Sequence, residues 1–287
     1  MSRFYSKLSA RVALLFALCV LANVEIKADE PKPEEIIAKH LDSIGTKEKR
    51  DAVKNRIAAG VSQFESKLPT RKALGKAVIV SDAKNLFFVT SFNSQEYPFE
   101  KIGFFAGKVS LPFVTAGAKS PLGAFIADHN NILSEGLFTG SISTTWSLLN
   151  SPIKKEKFRS AGTKKIGGRK AYALNYYAGA GSVEFTVKLY FDAQTFQHIR
   201  TEYRRAVAGK ESTFGVLGQQ TGVEIALTES FGDFKSADGL TLPHTYKMQY
   251  VTDSNSGTYE YEWGITISKY LFNQNLAADF FTFDEKK

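Results

Sequence analysis

"VEFTVKLYFDAQTFQHIRTEYR", residues 183–204, decides the fold. Val183, Phe185, Val187, Leu189 and Phe191 alternate with Glu184, Thr186 and Lys188. A period of two is that of a strand with one buried and one wet face. Asp192-Ala-Gln-Thr195 reads as a turn, because an Asp side chain accepts hydrogen bonds from the backbone just after it. Phe196 to Arg204 is then the returning strand. On it Gln197, Ile199, Thr201 and Tyr203 share one face, and Phe196, His198, Arg200, Glu202 and Arg204 share the other. The stretch holds an acid, a histidine and a threonine, but the alternation places His198 among charges on a solvated face. It is a hairpin and not a catalytic constellation.

The same period continues downstream. Leu242, His244, Tyr246, Met248 and Tyr250 alternate in "LPHTYKMQYV", and Tyr259, Tyr261, Trp263, Ile265 and Ile267 in "YEYEWGITIS". "VEIALTESF" adds Val223, Ile225 and Leu227. Upstream, "AVIVS", "NLFFVTSF", "KIGFFAG" and "KVSLPFV" are short β-rich runs between Ile57 and Val114, separated by turns at Asp82–Asn85 and Ala106-Gly107. Connections this short allow an antiparallel meander and leave no room for crossover helices. Helical spacing occurs in two places. "PKPEEIIAKHLDSIG" puts Ile36, Ile37, His40, Leu41 and Ile44 on one face, with Pro33 early, two acids at the positive end of the dipole and Gly45 at the stop. In residues 120–151, Leu122, Phe125, Ile126, Ile132, Leu133, Leu137, Ile142, Trp146 and Leu149 recur at helical intervals, punctuated by Gly123, Gly136 and Gly140. We read two or three short helices lying over one face of the sheet.

The amino terminus has the pattern of an export signal. Arg3, Lys7 and Arg11 precede an apolar run from Val12 to Val24, too short to span a bilayer comfortably, and cleavage fits after Ala28. Cys19 lies inside that run behind Leu18, which is not a lipobox, so lipidation there is not expected. The expected organisation is a signal peptide at 1–28 and one domain at 29–287, free of cysteine and held by packing. The net charge is +8, of which four basic residues and one acid leave with the signal. The remainder is mild and spread out, which argues against a nucleic-acid groove.

Catalytic and metal chemistry find little support. The four histidines, His40, His129, His198 and His244, form no HExxH or close pair, and Asp128 and His129 are adjacent, so they cannot face one metal from one helix side. "GSIS" around Ser141 lacks the second glycine of a nucleophile elbow. "GVLGQQTG" at 215–222 lacks the Lys-Ser/Thr of a phosphate loop and reads as a link between strands. His40 is expected to be a satisfied structural histidine. What is abundant is aromatic: 23 Phe, 12 Tyr and 2 Trp. Two readings stay open. These side chains fill an ordinary core, or a curved sheet leaves its concave face partly unfilled and an acyl chain completes it. Burying about fourteen methylenes would contribute about 11 kcal/mol before ordering costs.

"EEIIAKHLDSIG", then a strand meander, then "KKIGGRKAYALNY", "VKLYFDAQTFQHIRTEY", "FGDFKSADGLTLPHTY" and "LFNQNLAADFFTF" resemble, in order, exported bacterial proteins of the outer-membrane lipoprotein-sorting family, the LolA-like carriers. The resemblance implies an α+β fold: one strongly curved antiparallel sheet, a half-barrel, with an N-terminal helix and short central helices on its concave side. It also implies a periplasmic, monomeric, non-enzymatic carrier with no cofactor or metal. Its partners would be lipid or lipoprotein acyl chains and membrane-bound donor and acceptor proteins. Combined with the alternation, it makes Val183, Phe185, Val187, Leu189, Tyr246, Met248, Tyr261, Trp263 and Ile265 the expected lining of an apolar cavity. Two other readings are an envelope module that binds a protein partner through a sheet edge, and a hydrolase of lipid-like substrates.

Overall fold

The computed structural model describes residues 30–150, 157–177, 185–207, 223–254, 257–277 and 280–283. The expected signal peptide, Val183 and the link at 215–222 lie outside them. Residues Lys32–Lys287 form one compact unit.

Twelve strands make a single open antiparallel sheet. They are β1 (Asn55–Lys67), β2 (Thr70–Asp82), β3 (Leu86–Phe92), β4 (Phe99–Phe105), β5 (Lys108–Ser110), β6 (Phe158–Ile166), β7 (Arg169–Tyr176), β8 (Phe185–Asp192), β9 (His198–Val207), β10 (Val223–Ala237), β11 (Leu240–Ser254) and β12 (Gly257–Phe272). The order across the sheet is β5-β4-β3-β2-β1-β12-β11-β10-β9-β8-β7-β6. It is two meanders joined where β1 meets β12. The turns are those the sequence announces: Asp82 Oδ1 accepts from the amides of Lys84 and Asn85, both at 2.8 Å, and Ala106 and Gly107 take positive φ at the β4–β5 hairpin.

One face of the sheet is covered along its width. Helix α1 (Pro33–Ile44) lies on it through Ile36, Ile37 and His40. Three further short helices, α3 (Pro121–Asp128), α4 (Asn131–Ser134) and α5 (Ser147–Asn150), and a 3-10 turn at Gly140–Ile142 cover the rest; α2 (Lys47–Asp51) buries no side chain. This matches the expected curved sheet with helices on its inner side. The outer face keeps smaller clusters of its own: Ile166, Ala171, Ala173, Tyr190 and Ile199 at one end, and Phe87 with Phe280 and Phe283 at the other.

The opening hairpin is present, with two corrections. Asp192 Oδ1 accepts from Gln194 and Thr195, as expected. The turn, however, runs two residues further: Phe196 has φ +57° and β9 begins at His198. Tyr172 stacks on the Phe196 ring at 5.7 Å, and His40 Nδ1 donates to its carbonyl at 3.1 Å, so tertiary contacts hold an aromatic residue in the left-handed region. The second correction concerns His198. Tyr190 pairs with Arg200 but Phe191 pairs with His198, so Ile199 is bulged. A bulge shifts the side-chain phase by one. His198 therefore turns inward with Thr201 and Tyr203 and is wholly buried, while Ile199 joins Arg200 on the outer side. The expectation of a solvated His198 fails for that reason.

Gly140 shows how closely the cover sits. Its φ is +47°, and a Cβ there would lie 2.8 Å from Phe231 Cζ and 3.0 Å from His198 Nδ1. Gly140→Ala is expected to cost about 2–4 kcal/mol, combining left-handed strain with overpacking. Gly107→Ala meets open space and should cost about 1 kcal/mol. Urea denaturation of both variants checks the difference; equal losses would mean that the cover is not packed against β9 and β10.

Candidate binding surface on the inner face

The register lines up inner side chains in rows across the strands. One row runs Leu189, Thr201, Glu229, Met248, Trp263, Phe64 and Ala73. Beside it, Phe231, Tyr246, Ile265 and Ser62 are paired in turn. On its other side lie Val187, Tyr203, Leu227, Tyr250 and Tyr261. Apart from Val183, all the residues named from the sequence sit on this surface. Val187, Leu189, Tyr246, Met248, Trp263 and Ile265 are buried in one apolar cluster, with Phe185 and Tyr261 half-buried at its margin.

That margin is an aromatic rim at one end of the sheet. His129, at the end of α3, stacks on Phe185 at 4.4 Å. Phe125 approaches both Phe185 and Tyr250, and Tyr250 approaches Tyr261. The strand ends here carry half-buried rings, whereas the rows further in are closed.

The alternation hid polar residues within the apolar surface. Glu229 is wholly buried in the row between Thr201 and Met248. Its carboxylate accepts from Tyr203 Oη at 2.7 Å, from Tyr246 Oη and from the Thr139 amide at 2.8 Å. Three donors favour the charged form, yet burial outweighs them and pushes its pKa up to about 7. Glu100 is the second such acid. It accepts from Tyr97 Oη and from Ser120 Oγ at 2.7 Å, and burial raises it to about 7 as well. Ser120 also caps α3 by accepting from Gly123 N, and Trp263 Nε1 donates to Tyr97 Oη at 3.0 Å. A chain of polar contacts thus runs from β12 to the start of α3.

The segment 139–146 is tied to the sheet at three points and to α1 at a fourth. Glu229 holds the Thr139 amide; Arg56 donates to the carbonyls of Ser141 at 2.6 Å and Ile142 at 3.2 Å. Ser81 Oγ accepts from the Thr144 amide at 2.8 Å, and His40 Nε2 accepts from Trp146 Nε1 at 3.1 Å. His40 is the satisfied structural histidine that was expected. Its two ring nitrogens are committed, one as donor and one as acceptor, and burial lowers its pKa to about 4. His198 stacks on Trp146 at 4.7 Å and is also held neutral by burial. Among the described residues no cluster of His, Cys, Asp and Glu is arranged to hold a metal.

Glu229 and Glu100 were legible in principle. Glu229 continues the Val223, Ile225, Leu227 series, and Glu100 precedes Ile102 and Phe104 at the same spacing. Only the phase marked them as inward.

No protein-family model and no curated protein matches the sequence. Solved structures do. The chain is similar to an outer-membrane lipoprotein-sorting protein domain from Vibrio parahaemolyticus. The identity is 13%, with 86% of this chain and 94% of that one covered, at a TM-score of 0.43. A DUF1329 family protein from Desulfovibrio piger is similar at 10% identity over 88% and 98% of the two chains, with a TM-score of 0.37. The MucA/MucB complex of Pseudomonas aeruginosa follows at 8% identity, 84% and 100% coverage and a TM-score of 0.23.

The pKa of Glu229 carries a stability consequence. Its folded value, about 7, stands above the 4.5 of an ordinary glutamate. Its contribution is therefore fully present below 4.5 and is lost as pH rises through 7. Relative to Glu229→Gln, which cannot ionise, the wild type should lose about 3 kcal/mol between pH 4.5 and 7.5. Chemical denaturation of both proteins at the two pH values measures this. A difference independent of pH would mean that the carboxyl does not titrate in that range.

Proposed function

We propose that the protein is a non-enzymatic periplasmic carrier that holds a lipid or lipoprotein acyl chain against the inner face of the sheet. The observation that carries the reading is the graded apolar surface: half-buried Phe185, Tyr261 and the rings around them at one end, leading to closed rows of Val187, Leu189, Met248 and Trp263. Rings at the edge of an apolar interior provide a wetted entrance to a dry site. The cover above it packs on the sheet within the same apolar cluster, and polar contacts at 139–146 fix where it sits. The sequence resemblance to lipoprotein-sorting carriers supports the same reading, as does an expected export signal at 1–28. No helix among the described residues is long and apolar enough to cross a membrane.

The other two readings draw less support. A partner strand would need an open edge. At one edge, β5 is three residues long. At the other, β6 carries a bulge between Ser160 and Thr163 and presents Lys164 and Lys165. Short, bulged and lysine-bearing edges resist added strands. A hydrolase would need a histidine free to take a proton. His40 has both nitrogens engaged, and His198 is walled in by Trp146, Phe231 and Phe191.

Native mass spectrometry of detergent-free protein is expected to show a co-purified lipid of one chain class. Phe185→Ser and Tyr261→Ser, both at half-buried positions, should reduce retained lipid several-fold while Tm falls by only a few degrees. Thr186→Glu, on the exposed side of the same strand, should change neither. Lipid retained equally by all variants, or absent from the wild type, would overturn the reading.

A further inference from the structure

The outer face carries a groove that the carrier reading does not use. A twisted sheet is saddle-shaped, so its outer side is also concave along one direction. Here that concavity is a cleft of about 480 Å³, continuous with one of about 340 Å³ through shared lining residues. Its floor follows a single row of the register: Arg200, Ser230, Lys247, Gly264, Gln63 and Leu74, each paired with the next. Six strands at the usual spacing make this row about 24 Å long.

The two ends differ in chemistry. At one end stand Arg200 and Lys247. Arg200 Nε is buried without a hydrogen-bond partner, and its nearest carboxylate, Glu202, lies at 3.6 Å and also faces Lys164 and Arg204. Lys247 makes no ion pair among the described residues. At the other end, Leu74 is 72% exposed and its diagonal neighbour Val61 60% exposed. The two acids that line the cleft stand in the adjoining row, where Glu65 pairs with Lys72 at 3.1 Å and Glu262 accepts from Gln249. Between the ends, Gly264 has no left-handed φ to explain it; any side chain there would run into Gln63 at 3.0 Å and fill the cleft.

We propose that this groove is a second binding site, for an anionic single-chain amphiphile whose carboxylate or phosphate meets Arg200 and Lys247 and whose chain runs over Gly264 toward Leu74 and Val61. The part-exposed Arg200 guanidinium, held only at 3.6 Å by Glu202, and the unpaired Lys247 ammonium supply charge-assisted hydrogen bonds at one end. Exposed apolar side chains at the other gain by being covered.

The test is calorimetric titration of the full chain carrying Phe185→Ser and Tyr261→Ser, which weaken the inner face, with laurate and, separately, with dodecyl maltoside, both below their critical micelle concentrations. Arg200→Gln/Lys247→Gln should weaken laurate binding at least tenfold, and Gly264→Leu, which fills the cleft without touching the charges, should do the same. The charge pair should leave Tm unchanged, and Gly264→Leu, which must push aside the flexible Gln63 side chain, should lower it by no more than a few degrees. Because the inner face is weakened in this background, laurate binding that remains and answers to the groove substitutions is separate from any inner-face site. Laurate bound equally by both groove variants would overturn the proposal. So would dodecyl maltoside bound as tightly as laurate, or an acidic peptide captured by the groove in place of laurate.

Discussion

An open sheet of twelve antiparallel strands has an apolar face far larger than any one helix can cover. That face must be shielded from water, and the remainder of the structure is arranged to shield it. Helix α1 covers one part, and the segment from 120 to 150 covers the rest with short helices that supply little stability of their own. Their position depends on what binds them to the strands. Glu229, Arg56, Ser81 and His40 reach up from the sheet and from α1 to satisfy backbone and indole groups in the cover. Without them, buried amides and carbonyls of an irregular segment would be left unpaired, at about 1–3 kcal/mol each.

These contacts also explain the buried charges. A carboxylate and a guanidinium under a hydrophobic cover are costly to desolvate. Both are placed where an irregular turn offers its own polar groups, Thr139 with φ +65° and Gly140 with φ +47°. The polar contacts fix the register of the cover on the sheet, while the surrounding rings provide the burial. Cover and inner face share one packed cluster, so the cover could leave the sheet only as a unit, with polar contacts and apolar packing broken together. Displacement of that kind is what admission of a chain between cover and sheet would require.

The strand architecture was legible in residues because alternation is a local property. The strands β8 and β9 and the inward sets on β11 and β12 follow from period two, and the β2–β5 meander and the Asp192 turn from β-rich runs and turn residues. His198 was misplaced because a one-residue bulge leaves no composition signal; Ile199 and His198 exchange faces through a pairing that depends on β8. Glu229 and Glu100 carried the right phase, but an acid within an apolar series gives no sign of which distant tyrosine or amide will satisfy it. The outer groove was invisible for a related reason. Arg200, Lys247, Gly264 and Leu74 are far apart in the chain and become neighbours only through the register of six strands.

The central claim is that a hydrocarbon chain lies between the cover and the inner face. The protein's two tryptophans, Trp146 in the cover and Trp263 on β12, are both buried in the cluster that joins cover and sheet. Bromine quenches indole fluorescence only near contact, so titration with a dibrominated fatty acid tests the claim most directly, with Trp146→Phe and Trp263→Phe used to assign the signal. The account predicts saturable quenching of both tryptophans. A fatty acid that binds with the same affinity but leaves both fluorescences unchanged would contradict it.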